Sequence, residues 1–293
     1  MYANQPQIDD FRDCKGYPDA MLNGDKQKLG TKQSYIAEGR DEYGANNDRY
    51  SWEAEPILTY ILNDRSFLPV HENSAHLASE YDDKFNGTDI VMYLKNKDGE
   101  VITLSIDVAT STNYENISNK FNNSMRVHGN TPAMAAYIKY CESDGKKWRE
   151  PVASHFIIGL MPACLDDAVE KVDIKDGLIA GRNKDPITDF KIVSELYEQA
   201  KLQVKLLSQE QPEDEEGRKR VRDLNILGGL LKTRLYKLLG MDLLDNEEEF
   251  GKRYQKAMRM TSGDLVYKNI INETARQCNR FSGSKTVKVV KNQ

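Results

Sequence analysis

Two aspartates in the first half of the chain, Asp89 and Asp107, are the residues best placed to do chemistry. The segment TDIVMYL, then NKDG, then VITLSIDVA reads as a long β-hairpin with Asp98-Gly99 in its turn. With the turn centred near residue 98, partners sum to about 196, which sets Asp89 opposite Asp107. Opposed residues share a face, and two carboxylates with Cβ atoms about 5 Å apart repel each other. A divalent cation between them would turn repulsion into attraction, and hard carboxylate oxygens suit Mg²⁺ or Mn²⁺. Asp107 is also embedded in an apolar run, where a charge is costly unless paired or bound to metal. The same acids fit a solvent-facing sheet surface or local turn caps, and a one-residue change of register would separate them.

The elements that must position these acids are legible around them. SWEAEPILTYILND has Ser51 as an N-cap, acids in its first turn, Pro56 early, and Ile57, Leu58, Ile61 and Leu62 at helical spacing; it reads as a first helix. AHLASEY fits a strand before the hairpin, and Asn113 to His128 fits a polar helix after it. MAAYIKYCE is strand-like or partly helical, SHFIIGLM is a short apolar run of the buried-strand kind, and Asp166 to Val172 begins another helix. The second half is helical. DFKIVSELYEQAKLQVKLL sets Phe190, Val193, Leu196, Tyr197, Ala200 and Val204 at spacings of three and four, and further helices follow through about Arg280. The expected organisation is a polar N-terminal arm over 1–50, an α/β core over 51–182, a helical extension over 183–281 and a basic flexible tail over 282–293.

The string EYDDKFNGTDIVMYL, a turn, then LSIDVATS, with a Glu-bearing helix before it, resembles the PD-(D/E)xK nuclease superfamily. The likeness spans about 115 residues. It implies a restriction-endonuclease-like fold: a central mixed sheet with a long hairpin flanked by helices, here with a helical C-terminal extension. Asp89 matches the family's first acid and Asp107 its second. Glu53 or Glu55 matches the helical acid, and Glu80, on the preceding strand, is a further candidate. Where the family carries Lys two residues after the second acid, this chain has Ala109; Lys120 in the following helix and Lys84 before Asp89 are the candidate replacements. The resemblance implies metal-assisted phosphodiester hydrolysis, with Asp89, Asp107 and the helical Glu, joined by the Val108 carbonyl, holding one or two Mg²⁺ or Mn²⁺ ions. The departure at Ala109 equally fits a non-catalytic nucleic-acid-binding or protein-interaction scaffold that keeps the fold.

Bulk properties bound these readings. With 39% hydrophobic residues, 30% charged residues and a net charge of −5, the chain is no wholly basic nucleic-acid binder. A local basic surface remains available: Lys139, Lys146, Lys147 and Arg149, interleaved with Tyr137, Tyr140 and Trp148, could meet phosphates and bases of DNA or RNA, or form an exposed turn. Lys219 to Arg222, Lys232, Arg234 and Lys237 offer a second basic surface or a homo-oligomer contact. The four histidines lack metal-site spacing, and His155 reads as a satisfied structural histidine. The four cysteines lie far apart, which fits a reducing compartment. No run of 18 apolar residues and no signal-peptide pattern is present, so a cytoplasmic protein that does not engage membranes is expected.

Overall fold

The computed structural model of the 293-residue chain describes residues 5–11, 19–37, 49–64, 66–96, 99–125, 134–143, 146–160, 172–175, 178–182, 185–210, 215–243, 246–261 and 263–283. It is a mixed α/β protein whose chain divides into two compact units. One comprises Met1–Thr110, Ala135–His155 and Pro162–Asn183; the other comprises Ser111–Met134, Phe156–Met161 and Lys184–Gln293.

The first unit is built on a sheet. Strands β1 (Glu72–Leu77), β2 (Ile90–Lys95) and β3 (Val101–Ala109) form an antiparallel meander, and β4 (Ala135–Ser143) pairs antiparallel with β5 (Lys146–Gly159). The order across the sheet is β1-β2-β3-β5-β4, and β6 (Val172–Lys175) and β7 (Leu178–Arg182) form a separate two-stranded ribbon. Within β2 only Lys95 escapes full burial, and β3 is buried continuously from Leu104 to Ala109. Both strands are therefore covered on two faces, which explains why their sequences run apolar without alternating. The turn is held by the Asn96 side chain, which accepts from the Glu100 N–H, and by Gly99 at φ 83°, a left-handed conformation that glycine adopts without steric cost.

Helix α1 (Asp19–Ala37) and a short 3₁₀ turn, Ile8–Phe11, precede helix α2 (Arg49–Leu62). The polar arm expected over 1–50 thus carries ordered, packed structure. Its few apolar residues converge: Ile8, Phe11, Leu22 and Leu29 are buried together with Tyr81 and Tyr140. Burying such side chains contributes roughly 2 kcal/mol each, so a handful suffices to anchor an otherwise polar segment. Helix α2 begins two residues ahead of the expected cap at Ser51 and packs along β1, β2 and β3 through the predicted stripe, with Ile57, Leu58, Ile61 and Leu62 all buried.

The second unit is helical, as the amphipathic periods predict. It contains α3 (Tyr114–Ser124), α4 (Pro186–Glu210), α5 (Glu215–Leu238), α6 (Glu247–Met260) and α7 (Leu265–Gly283). Asn113 caps α3, its side chain accepting from the Glu115 N–H. MAAYIKYCE is β4, and SHFIIGLM supplies the end of β5. The helix expected from Asp166 falls outside the described residues as far as Lys171, while Val172 starts strand β6 instead. Among the described residues no helix is long and apolar enough to cross a membrane.

Helix α4 is buried more widely than its apolar stripe, because it also buries a polar row, Glu195, Gln199 and Gln203, at intervals of four. Gln199 accepts from the Ile157 N–H and donates to the Ile157 carbonyl, as a neighbouring strand would. Glu195 accepts from the Gly159 N–H. A Cβ at Gly159 would sit 2.6 Å from Ile270 Cδ1 and 2.7 Å from Val266 Cγ1, so glycine is what lets α7 close over this backbone. Burial pushes the Glu195 carboxyl well above its usual 4.5, only partly opposed by the Gly159 N–H. The folded chain therefore holds this proton more tightly than the unfolded one, and the acid's contribution to stability falls as pH rises above about 4.5 towards its folded pKa. Glu195→Gln cannot ionise. Its stability relative to wild type should rise by at least about 1 kcal/mol between pH 5 and pH 8 in urea denaturation, and a pH-independent difference would contradict a neutral Glu195.

Candidate functional site

The observed register of β2 and β3 is the one the turn arithmetic predicts. Partners run from Lys95 with Val101 to Ile90 with Ile106, every pair summing to 196. The ladder ends at that pair: Asp89 lies just outside β2, next to Ile90, and Asp107 lies in β3, next to Ile106, so the direct opposition of the two acids expected from the turn is not part of the ladder. Asp107 is 7% exposed, so a solvent-facing surface pair does not describe it. Asp89 is half-buried; its backbone N–H donates to the Ile106 carbonyl, and its Oδ2 accepts from the Val108 N–H at 2.6 Å. The first acid thus fastens itself to the strand that carries the second.

Behind this edge runs a chain of buried polar groups. The Thr88 and Ser105 hydroxyls are 2.8 Å apart, and Ser105 Oγ is 2.8 Å from His155 Nδ1. All three are buried, which makes His155 the structural histidine expected from the sequence. It ties β3 to β5 one residue pair from the acids.

Asp82 and Asp83 diverge in role. A π-turn, Asp82–Asn86, leads towards β2 and ends at Gly87, whose φ of 65° is left-handed. Asp82 points inward with no exposed surface. Its carboxylate accepts from the Lys139 and Tyr140 N–H groups at 2.8 Å each, from Ser79 Oγ at 2.8 Å and from Asn86 Nδ2 at 2.6 Å. Burial raises its pKa, with the four donors pulling the other way. Asp82 is a structural bracket between the turn and β4.

Asp83 instead holds Lys84, with Nζ 2.9 Å from its Oδ2. Burial alone would lower the Lys84 pKa, but Asp83, then Asp89 and Glu55, outweigh it and raise the value above that of an ordinary lysine. The Lys84 ammonium therefore lies within electrostatic reach of both the hairpin acid Asp89 and the helix-borne Glu55, and all three side chains are half-buried. Lys84 is one of the two lysines considered for the missing motif position; the other, Lys120, belongs to α3 in the helical unit.

Other sequence-selected residues stand elsewhere. Glu80 is not on a strand: β1 ends at Leu77, and the Glu80 carboxylate accepts from Gln33 Nε2 of α1. The Glu53 side chain lies outside the described residues, as do those of Lys146, Lys147, Trp148 and Arg149, whose backbones form the start of β5. Lys139 corrects the basic-surface reading at one point. Its ammonium pairs with Asp25 and lies 4.9 Å from the Tyr81 ring and 5.8 Å from the Tyr140 ring, while the Tyr140 hydroxyl donates to Asp25 at 2.6 Å. This charge is spent inside the fold. The sequence carries no signal for it, because Asp25 and Lys139 meet only through tertiary packing.

Among the described residues no group of three or more His, Cys, Asp or Glu side chains is gathered to hold a metal ion. The hairpin supplies two carboxylates, and Glu55, like Asp89, lies within electrostatic reach of Lys84. Comparison of the chain with protein families, with curated proteins and with solved structures gives no match.

Removing the bracket should be costly. Asp82→Ala strands the buried N–H groups of Lys139 and Tyr140, each worth about 1–3 kcal/mol when unsatisfied, so a loss of at least about 2 kcal/mol is expected in chemical denaturation. A change below 0.5 kcal/mol, the scale of an ordinary surface substitution, would contradict that role.

Proposed function

We propose that the edge of the β2–β3 hairpin is a phosphodiester-hydrolysing site of the PD-(D/E)xK kind, dependent on Mg²⁺ or Mn²⁺ and acting on nucleic acid. The observation that carries this reading is that Asp89, bonded to the Val108 N–H, and the buried Asp107 stand at the same end of the hairpin, with Lys84 in electrostatic reach of Asp89 and Glu55. The restriction-endonuclease-like fold assignment is part of the same proposal, supported by the meander, its order in the sheet, and the Glu-bearing helix packed along it.

The donor set fits a hard divalent cation held by Asp89 and Asp107. Mg²⁺ commonly takes one or two carboxylates and keeps several waters, so a gathered triad is not required. Such a cation, when bound, would polarise the phosphate and lower the pKa of its water. The chain's own contribution is positional. The sheet fixes Asp107, the Val108 N–H fixes Asp89, and Asp83 fixes the Lys84 ammonium. Kept charged by its neighbours, Lys84 would stabilise the negative charge that develops on the phosphate, the part that the family gives to the Lys missing at Ala109.

One observation favours a second reading. The 2.6 Å bond from the Val108 N–H uses Asp89 as a clamp between strands, a part that a non-catalytic nucleic-acid-binding or interaction scaffold would also need. Matched substitutions separate the two. Asp89→Asn and Asp107→Asn keep oxygen acceptors and should leave thermal unfolding close to wild type. In Mn²⁺, wild type should cleave single- or double-stranded DNA or RNA, both Asn variants should lose cleavage, and Lys84→Gln should slow it by about 100-fold. Equal cleavage by wild type and Asp107→Asn would remove Asp107 from the chemistry, and a wild type that cleaves none of the four substrates would leave the scaffold.

A further inference from the structure

Phe85 and Lys32 meet at the turn that leads into the hairpin. A singly exposed ring needs no explanation on its own, but this one is built into its place. Of the large hydrophobic side chains exposed among the described residues, Phe85, 40% exposed, is the one in the sheet unit. It stands on the π-turn between Lys84 and the left-handed Gly87. Tyr81 stacks on the ring with centroids 4.8 Å apart, Tyr81 meets Tyr140 edge-on at 5.5 Å, and Tyr140 lies 5.0 Å from Phe11. The exposed ring is therefore the end of an aromatic row rooted in the core. A ring backed in this way loses little freedom when a flat partner is laid against it.

Lys32 of α1 lies over the same ring, its Nζ 5.2 Å from the centroid, and donates to the Lys84 carbonyl at 2.5 Å. The side chain is half-buried, and among the described residues no carboxylate pairs with it. The acids of the turn are committed elsewhere: Asp82 to its four donors, and Asp83 to Lys84 and, at 3.2 Å, to Gln5 Nε2. An ammonium carries three donors, so Lys32 keeps donors for an incoming anion, and a bond to phosphate is stronger than one to a neutral carbonyl. A phosphate that draws Lys32 off the ring leaves the ring to a flat partner, and phosphate with a flat ring is the chemistry of a nucleotide. An unpaired base stacks on an aromatic side chain whatever its sequence, whereas a base inside a duplex is already stacked on its neighbours.

We propose that Lys32 and Phe85 form a subsite for one nucleotide of a single-stranded nucleic acid, Lys32 holding its phosphate and Phe85 its base, at the turn that also carries Lys84. The assignment rests on the nucleic-acid reading above, but not on the hairpin acids being catalytic. It is tested with the full chain by fluorescence anisotropy of labelled oligo(dT), oligo(rU) and a DNA duplex of the same length over a range of salt, with EDTA present so that no cleavage occurs. Wild type should bind the single strands more tightly than the duplex. Phe85→Leu keeps an apolar side chain against Tyr81 and should weaken single-strand binding by about 5- to 100-fold, while Phe85→Trp should bind like wild type. Lys32→Gln should lower the slope of log affinity against log salt by about 0.7, the share of one phosphate contact on a single strand. Lys26→Gln, on the same helix but paired with Asp9, should leave the slope unchanged. Unchanged binding in both Phe85→Leu and Lys32→Gln, with cleavage in Mn²⁺ retained, would overturn the subsite and leave the hydrolytic site standing. The expected losses in a protein that cleaves nothing would support the subsite and sink the hydrolytic reading. No single-strand binding by wild type, or displacement of the strand by an equal concentration of dTMP, would overturn the subsite.

Discussion

A carboxylate inside a strand that is covered on both faces has no bulk water to solvate it, and whatever stands opposite decides how its charge is met. Asp107 occupies such a position. What stands opposite is fixed by the hairpin register, because a slip of one residue would turn every side chain of β2 to the other face. The Asn96–Gly99 turn, the α2 stripe along the meander and the Thr88–Ser105–His155 chain all hold that register. None of these groups need do chemistry. Their common effect is to hold the end of the hairpin where Asp107 and its neighbour across the strands, Asp89, stand.

Besides buried acids met by a cation, such as Asp25 with Lys139, three treatments of inward-facing acids contrast scaffold with candidate site. Asp82 is saturated by four donors and brackets β4. Glu195 has its pKa raised by burial and holds the end of β5 through Gly159. At the hairpin edge Asp89 is met by a strand N–H and lies within electrostatic reach of Lys84, which also acts on Glu55. This last arrangement sets a half-buried acid and a half-buried lysine near the buried Asp107, a grouping of the kind found at functional sites.

Much of this was legible in the sequence, for identifiable physical reasons. The hairpin register follows from turn chemistry and a period of two, so the pairing from Ile90 with Ile106 to Lys95 with Val101 could be read directly, as could the α2 stripe and the helical second half. Lys84 and Lys120 could both be named as candidates, since nothing local says which lysine comes within electrostatic reach of Asp89 and Glu55. Residues 8–37 were underestimated because their burial depends on partners as distant as Tyr81 and Tyr140. Glu80 was misassigned because the helical turn after β1 begins within an apolar-looking run, and Lys139 because its counter-charge, Asp25, lies in another part of the chain. The polar row of α4 was missed for a related reason: Glu195, Gln199 and Gln203 resemble an exposed face until the end of β5 is found bonded to them.

The central claim is that Asp89 and Asp107, at one end of the hairpin, make a seat for a hard cation, and calorimetric titration of Mn²⁺ into the intact protein tests it most directly. Binding to wild type that is lost in both Asp89→Asn and Asp107→Asn, with unfolding temperatures unchanged, is the result expected. Identical heats from wild type and both variants, or none from any of them, would contradict it.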